Sequence, residues 1–182
     1  MSHMTLGIGQ RFKLSTVRAV TLFAVVLLSA VEAIAQDKPA AFGWLEHVLV
    51  YPPGMQMSAK LDTGADSCSV HAEKLEKYQS GGSTWVRFTL TNKFGDTAEV
   101  KREIVRNTKI KKKSGGAQKR PVVRFGLCLG GVYEVVECNL VNRAHFQYPV
   151  LIGRNLLAGA VLVDSSSTFT VDPACKDVRS PK

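Results

Sequence analysis

Three short motifs that would assign a cofactor are missing from this chain of 182 residues. It has no His-Glu-x-x-His run, which places two zinc-binding imidazoles on one face of a helix, and no Gly-x-x-x-x-Gly-Lys-Ser/Thr loop for nucleotide phosphates. Its four cysteines include no Cys-x-x-Cys pair of the kind that binds zinc or cycles as a redox centre. The sequence therefore predicts neither a metal nor a nucleotide cofactor.

Long apolar runs are also scarce. The longest covers residues 20–31, about 12 residues, whereas a membrane-spanning helix needs about 20. Basic residues precede this run, at Arg11, Lys13 and Arg18, and Ala33-Ile34-Ala35 follows it as a small-x-small cleavage site. This pattern predicts a secretory signal peptide, cleaved after Ala35, and a periplasmic or secreted product. An uncleaved membrane anchor is the alternative, and only then would the protein be tethered to a membrane.

The charge is unbalanced, with 24 Lys and Arg against 15 Asp and Glu and a net charge of +9. A basic balance suits an acidic partner or simple solubility and does not determine the fold. The length and the 45% hydrophobic content are ordinary for one globular domain. We predict a signal peptide over residues 1–35, a linker over 36–41, one domain over 42–175 and a disordered tail over 176–182.

The cysteines allow three disulfide pairings in an exported protein. They are Cys68, Cys128, Cys138 and Cys175. If Gly130-Gly131 forms a two-residue hairpin turn, side-chain alternation places Cys128 and Cys138 on opposite faces of the hairpin, which argues against a bridge between them. The other pairings and buried free thiols both remain open.

Alternation of apolar and polar residues is the dominant periodicity. In residues 85–91, Val86, Phe88 and Leu90 share one face. We predict further strands over residues 42–51, 55–61, 98–110, 121–129 and 132–141, an apolar strand at 148–153, a short strand with a helical turn within 69–75, and a last hairpin formed by 160–163 and 168–171. Many short strands separated by turn signals predict an all-β sandwich or barrel.

The run Asp62-Thr63-Gly64 occurs once, and no internal repeat is visible. It follows a short apolar lead, so that a strand would deliver a carboxylate into a turn that Gly64 makes possible. The Thr63 hydroxyl can hydrogen-bond locally or across an interface. On its own, the tripeptide is also common as a turn without a catalytic role.

Two segments in order carry a family resemblance. They are Leu61-Asp62-Thr63-Gly64-Ala65-Asp66 and Leu151-Ile152-Gly153-Arg154-Asn155-Leu156-Leu157, with a glycine-tipped basic connection at Ser114-Gly115-Gly116 between them. This arrangement resembles the retropepsins, the single-lobe aspartic proteases of retroviruses. The resemblance implies a closed all-β barrel with one short helix near Arg154–Ala158 and a flap hairpin near Gly115 and Gly116.

Residues 45–172 as a whole resemble a bacterial branch of that superfamily. Its members share the Asp-Thr-Gly-Ala turn, a Ser-x-x-His-Ala-like stretch (here Ser67 to Ala72) and a Tyr-Pro-x-Leu-x-Gly-Arg helix entry (here Tyr148 to Arg154). Some members have been labelled ATP-dependent zinc proteases and associated with ATP-grasp peptide ligases. Because the motifs for metal and ATP are missing here, neither is expected. This chain departs from viral retropepsins in a longer stretch between the motifs and in a lysine-rich flap.

The resemblance implies an aspartic endopeptidase that acts on a peptide or protein as a homodimer. Two carboxylates must share one proton across a water molecule, so the second would be Asp62 of another copy. The expected catalytic residues are Asp62, Thr63 and Gly64. Ala65, Asp66, Ser114, Gly115 and Gly116 are expected to bind substrate, and Arg154 to brace the turn through Asp66.

Several residues have simpler interpretations. Asp164-Ser165-Ser166 is the one rival for a second aspartate turn, but it lacks the glycine, and we interpret it as an ordinary turn. Arg154 could be a plain surface arginine. His71 and His145, which lack ligand spacing, are interpreted as structural. The basic cluster at 109–113 and 119–120 is expected to be a solvated hairpin that does not bind nucleic acid, and its attraction for acidic peptides or anionic envelope material is a further hypothesis.

Two rival functions remain. The same fold could bind a peptide or a cell-envelope partner without cutting it. A metal-dependent hydrolase is the other rival, supported only by the labels given to related proteins.

Overall fold

The computed structural model describes residues 39–111, 115–176, 178 and 181. The predicted signal peptide and Ser114 lie outside these residues. The described part of the chain contains eleven strands and one short helix: β1 (Ala40–Tyr51), β2 (Met55–Leu61), β3 (Cys68–His71), β4 (Glu73–Ser80), β5 (Ser83–Thr91), β6 (Thr97–Glu103), β7 (Arg106–Lys111), β8 (Ala117–Leu129), β9 (Val132–Val141), β10 (Val150–Ile152), α1 (Arg154–Leu157) and β11 (Val161–Thr168). No helix in these ranges combines the length and the hydropathy needed to cross a membrane.

Six of the strands form a closed barrel in the order β1-β2-β10-β3-β9-β8, and β8 pairs back onto β1 to close it. The closing pair is antiparallel and runs from Val48 opposite Leu129 to Tyr51 opposite Gly126. β11 is added to the outside of β1 and β7 to the outside of β8. The expectation of a closed all-β barrel with one short helix is confirmed.

The barrel is filled by alternate residues of its strands. In β2, Met55, Met57, Ala59 and Leu61 are buried and the residues between them are not. A two-residue period puts every second side chain inside, which is why this strand was visible in the sequence. The same interior holds Val48 and Val50 of β1, Phe125, Leu127 and Leu129 of β8, Cys138 and Leu140 of β9, and Val150 and Ile152 of β10.

Strands β4, β5 and β6 form a separate three-stranded sheet that accounts for the extra length between the two motifs. The predicted helical turn within 69–75 is wrong, because the chain there is extended in β3 and β4. The single strand predicted over 98–110 is also wrong. The chain changes sheets between β6 and β7, where Ile104 N–H donates to Thr84 of β5 and Val105 N–H to Val122 of β8.

The predicted Gly130-Gly131 hairpin is present, with Cys128 opposite Tyr133 and Cys138 opposite Val123. The expected exclusion of a Cys128–Cys138 bridge agrees with the disulfide that is present, between Cys128 and Cys175. Cys68 and Cys138 are buried free thiols that face each other across the parallel pair β3–β9.

The predicted last hairpin is wrong, because residues 161–168 form the one strand β11, parallel to β1. The chain then turns across β1, where the buried carboxylate of Glu46 holds it. That carboxylate accepts hydrogen bonds from Thr170 N–H (3.0 Å), Thr170 Oγ1 (2.5 Å) and Val171 N–H (3.3 Å), and also from Gly43 N–H (2.7 Å). A buried carboxylate needs such donors, and these bonds fix the path of the chain after β11. Within the predicted disordered tail, the Pro181 carbonyl accepts a bond from Arg102 (2.6 Å).

The three-stranded sheet should depend on Phe88 for its packing against the barrel. Phe88 is buried and meets Phe125 of β8 edge-to-face, with ring centroids 6.0 Å apart. We expect Phe88→Ala to lower the free energy of unfolding by about 3–5 kcal/mol, as measured by urea denaturation. Phe94→Ala is the control, because Phe94 is 69% exposed and its loss should change stability by no more than about 0.5 kcal/mol. Equal effects of the two substitutions would contradict this assignment.

Candidate active site

Asp62 begins a tight turn directly after β2. Its N–H donates to the Ile152 carbonyl of β10 (2.8 Å), and its own carbonyl accepts from Ala65 N–H (3.1 Å). The side chain is folded over the turn, because Oδ1 accepts from Gly64 N–H at 3.0 Å. A Cβ at Gly64 would lie 3.2 Å from Oδ1, so glycine relieves crowding against the carboxylate. The carboxylate remains accessible to solvent, since 27% of the Asp62 side-chain surface is exposed.

Helix α1 is joined to this turn by its backbone. Arg154 N–H donates to the Ala65 carbonyl (2.8 Å) and Asn155 N–H to the Asp66 carbonyl (3.3 Å). Gly153 makes this approach possible, since a Cβ there would lie 2.7–2.9 Å from backbone atoms of Ser67 and Ala65. The two motifs seen in the sequence are therefore in direct contact.

The Arg154 side chain adds a second connection. Its Nη1 donates to the Thr63 carbonyl at 2.8 Å, and its Nη2 bonds the Asp66 carboxylate. The guanidinium thus bridges Thr63 and Asp66, because its planar fork carries several N–H donors. The plain surface interpretation of Arg154 does not describe this contact.

Asn155 had no assigned role in the sequence, yet it connects two strands, β3 and β9, to the helix. Its Oδ1 accepts from the N–H and the Sγ of Cys68 in β3, both at 3.1 Å, and its Nδ2 donates to the Glu137 carbonyl of β9 (2.9 Å). The signal was available in the Gly-Arg-Asn-Leu motif, but the partners of the amide depend on the fold.

Lys60 was also missed. Its Nζ lies 3.5 Å from Oδ2 of Asp62. Side chains two residues apart on a strand share a face, so the alternation of β2 could have indicated this contact.

A basic wall stands beside the turn, formed by Arg143, Arg120, Ser69 and Asn139. The buried Arg143 guanidinium donates from Nη1 to Ser69 Oγ (2.8 Å) and from Nε to the Tyr148 carbonyl (3.0 Å). Arg120 Nη1 donates to Asn139 Oδ1 (3.0 Å), and Ser69 and Asn139 are register partners in β3 and β9. No carboxylate pairs with either guanidinium among the described residues.

The charges of this wall and of Asp62 affect one another. The pKa of Arg143 is lowered to about 10, chiefly by burial and also by the charge of Arg120, while the charge of Asp62 opposes both effects. Burial also lowers the pKa of Arg120. Both guanidiniums remain cationic at neutral pH, and the wall is therefore a positive surface near the Asp62 carboxylate.

His71 contacts the loop that follows β9. Its Nδ1 accepts from Arg143 N–H (2.8 Å), and its Nε2 lies 3.6 Å from the Glu73 carboxylate. Both side chains line an open hollow of about 360 Å³ that also contains Arg143 and Phe146. His145 is exposed. Within the described ranges, no three His, Cys, Asp or Glu side chains are grouped so that they could hold a metal ion.

The predicted flap corresponds to the hairpin between β7 and β8. Gly115 and Gly116 at its tip have φ values of +91° and +76°, and a Cβ at either would meet nothing within 4 Å. A side chain at either glycine would therefore point into open space.

Asp164, the rival aspartate, lies within β11 and bonds its own neighbours. Its carboxylate accepts from Ser166 N–H (2.8 Å), Ser166 Oγ (2.7 Å) and Ser167 Oγ (2.7 Å). These bonds lower the pKa of Asp164 to about 2. The residue has no place in the Asp62 turn.

A closed single-lobe barrel, in which one Asp-Thr-Gly turn is braced by a Gly-Arg-Asn helix, defines a retropepsin-like protein. Comparison with protein families agrees with this class. The chain belongs to the RimB-like family, described as the retropepsin-like aspartic endopeptidase RimB, whose model matches residues 41–174.

The chain is also similar to individual proteins of known structure or name. The crystal structure of Lpg0085, a Legionella pneumophila protein of unknown function, superposes with a TM-score of 0.62 and 35% identity over 72% of this chain and 97% of that one. Proteins named probable alpha-L-glutamate ligase are 32% identical over 62% of this chain in Shewanella pealeana and 30% over 69% in Parasynechococcus marenigrum. This chain spans only 25% and 28% of the length of those two proteins.

Gly153 should be intolerant of any side chain. We expect Gly153→Ala to destabilise the protein by about 1–3 kcal/mol, because the methyl group must push α1 away from the carbonyls of the Asp62 turn. Gly131→Ala is the matched control, since a Cβ at Gly131 meets nothing within 4 Å. Thermal and urea unfolding would measure the difference, and a Gly153→Ala protein as stable as the control would show that the contact is not tight.

Proposed function

We propose that this protein is an aspartic-type endopeptidase in which Asp62 of two subunits activates the water that attacks a peptide bond. The observation that carries the proposal is the accessible Asp62 carboxylate in a turn held by α1 and β10. One carboxylate takes a proton from the water while the other, protonated, donates its proton to the carbonyl oxygen. When the tetrahedral intermediate collapses, the first carboxylate passes the proton from the water to the leaving amine, and the second recovers its own proton from the hydroxyl group that becomes the new carbonyl. Rigid positioning of these groups supplies much of the catalysis.

Homodimerisation supplies the second carboxylate in this mechanism. A twofold axis beside the turn brings Asp62 and its copy together. Thr63 is exposed, and its hydroxyl has no hydrogen bond within the described residues, so it is free to bond across such an axis. β11 is an edge strand of the large sheet and carries Leu162, which is 58% exposed. Exposed apolar residues on an unpaired edge support an interface there.

The proposal predicts that Asp62→Asn lowers peptide-hydrolysis activity by at least about 10²-fold, because the amide cannot accept the proton of the water. Asp96→Asn is the control. Asp96 bonds Asn92 in the turn between β5 and β6 and lies outside the proposed machinery, so its variant should keep full activity. The assay should cover acidic to neutral pH, with the native mass measured on the same samples.

The outcome separates the rival functions. Activity that survives Asp62→Asn would refute the aspartic mechanism. A persistently monomeric protein that binds peptides without cutting them would instead identify a binding module on this fold. Hydrolysis that is lost on chelation and returns with a stoichiometric metal would identify a metal-dependent peptidase.

The basic wall suggests the substrate class, which we propose to be peptides with acidic side chains. Arg143 is buried and Arg120 is half-buried, and neither guanidinium has a carboxylate partner among the residues that the structure describes. Such guanidiniums are costly in a folded protein, and an anionic ligand group would compensate their charge. The hollow that contains Arg143 gives room for such a group. The names of the glutamate-ligase relatives are compatible with a substrate rich in carboxylates.

Arg143→Gln tests this preference. A charge-assisted hydrogen bond contributes about 1.5–3 kcal/mol, so kcat/KM for a glutamate-containing peptide should fall about ten- to a hundredfold. The rate for a matched glutamine peptide should change little, which controls for misfolding. Lys101→Gln, an exposed change in the three-stranded sheet, should affect neither rate. Equal losses on both peptides would contradict acidic recognition by Arg143.

A further inference from the structure

Lys60 is the basic side chain that contacts the proposed catalytic carboxylate. Its Nζ lies 3.5 Å from Asp62 Oδ2, on the opposite oxygen from the one that accepts Gly64 N–H. The barrel interior is on the other face of β2, since Ala59 and Leu61 are buried while Lys60 is half-buried. The ammonium group is thus placed beside Asp62 by the strand itself, two residues away on the same face.

The other charged groups around Asp62 have different partners. Arg154 of α1 bonds the Thr63 carbonyl and the Asp66 carboxylate within the turn. Arg143, from the loop after β9, bonds Ser69 and the Tyr148 carbonyl and acts on Asp62 only through space. Among the described residues, Lys60 is therefore the cation in ion-pair contact with the Asp62 carboxylate.

A dimer that pairs two Asp62 side chains brings two like charges close together. Repulsion between such charges opposes assembly whenever both carboxylates are ionised, which is the usual state of free carboxylates at neutral pH. Two Lys60 ammonium groups, one from each subunit, would match that charge. We infer that Lys60 is the counter-ion of the paired Asp62 carboxylates and lets two copies assemble while both are ionised.

This inference rests on the proposed function and adds a condition to it. With Lys60, the two Lys60 and two Asp62 side chains carry no net charge when both carboxylates are ionised, so raising the pH to neutrality does not weaken the dimer. The assembled pair becomes active when it takes up the one proton that the mechanism needs. Without Lys60, assembly requires that one Asp62 be protonated, and the dimer should weaken as the pH rises. Lys60 is therefore a positioning residue: it acts through the two Asp62 carboxylates, whose pairing it stabilises.

Sedimentation equilibrium of the whole protein between pH 4 and pH 8 tests this role. For Lys60→Met we expect the dimer dissociation constant to rise at least about tenfold more across this range than in the unchanged protein. Lys60→Arg should restore the behaviour of the unchanged protein, because it retains the charge. The double variant Lys60→Met/Asp62→Asn should lose the added pH dependence, because the repelling carboxylates are gone. Lys101→Met is the control for removal of an exposed lysine.

The possible results separate this inference from the proposed function. A Lys60→Met dimer whose pH dependence equals that of the unchanged protein would overturn the role of Lys60 and leave the peptidase proposal intact. Added pH dependence that persists in the double variant would also overturn it, since the repulsion would then not come from Asp62. A protein that is monomeric at every pH would instead refute the dimeric active site.

Discussion

The contact between Gly153 and the Asp62 turn is the constraint on which the rest of the site depends. A hydrogen atom in place of a Cβ lets the carbonyls of Ala65 and Asp66 reach the first amides of α1. The same approach brings Arg154 over Thr63 and Asn155 over Cys68. The Asp62 turn, α1 and β3 are thereby fixed around one carboxylate. A short helix of four residues suffices, because its function is to join strands and not to span the domain.

The charge of the basic wall follows from the register of β3 and β9. The register of β3 and β9 sets Ser69 beside Asn139, and these two polar side chains hold Arg143 and Arg120. Hydroxyl, amide and carbonyl oxygens satisfy the donors of a guanidinium without neutralising its charge. The wall therefore keeps a positive charge near Asp62, which an opposing carboxylate would have cancelled. Such an arrangement costs stability, and costs of this kind are typical of binding sites.

Local chemistry explains what the sequence could and could not predict. The alternation of β2 and β5, the Gly130-Gly131 turn and the two motifs depend on residues close in sequence, and they indicated the barrel and the Asp66–Arg154 pairing. The change of sheet at Ile104 could not be predicted, because residues on both sides of it are extended. The two sides differ only in the strand they pair with, which is β5 for β6 and β8 for β7. β11 was misread as a hairpin because its parallel partner lies far away in β1. Arg143 and Glu46 were missed for the same reason: their partners are distant in sequence.

The extra residues between the two motifs do not supply a second catalytic carboxylate. Residues 73–103 could in principle have provided a second aspartate, but they form a sheet packed against the barrel through Phe88. Their one aspartate, Asp96, accepts a hydrogen bond from Asn92 in an exposed turn. Asp164 is likewise held by its own serines. Both Asp96 and Asp164 are therefore occupied by contacts with their own neighbours, and the proposed mechanism takes its second carboxylate from a twofold copy of Asp62.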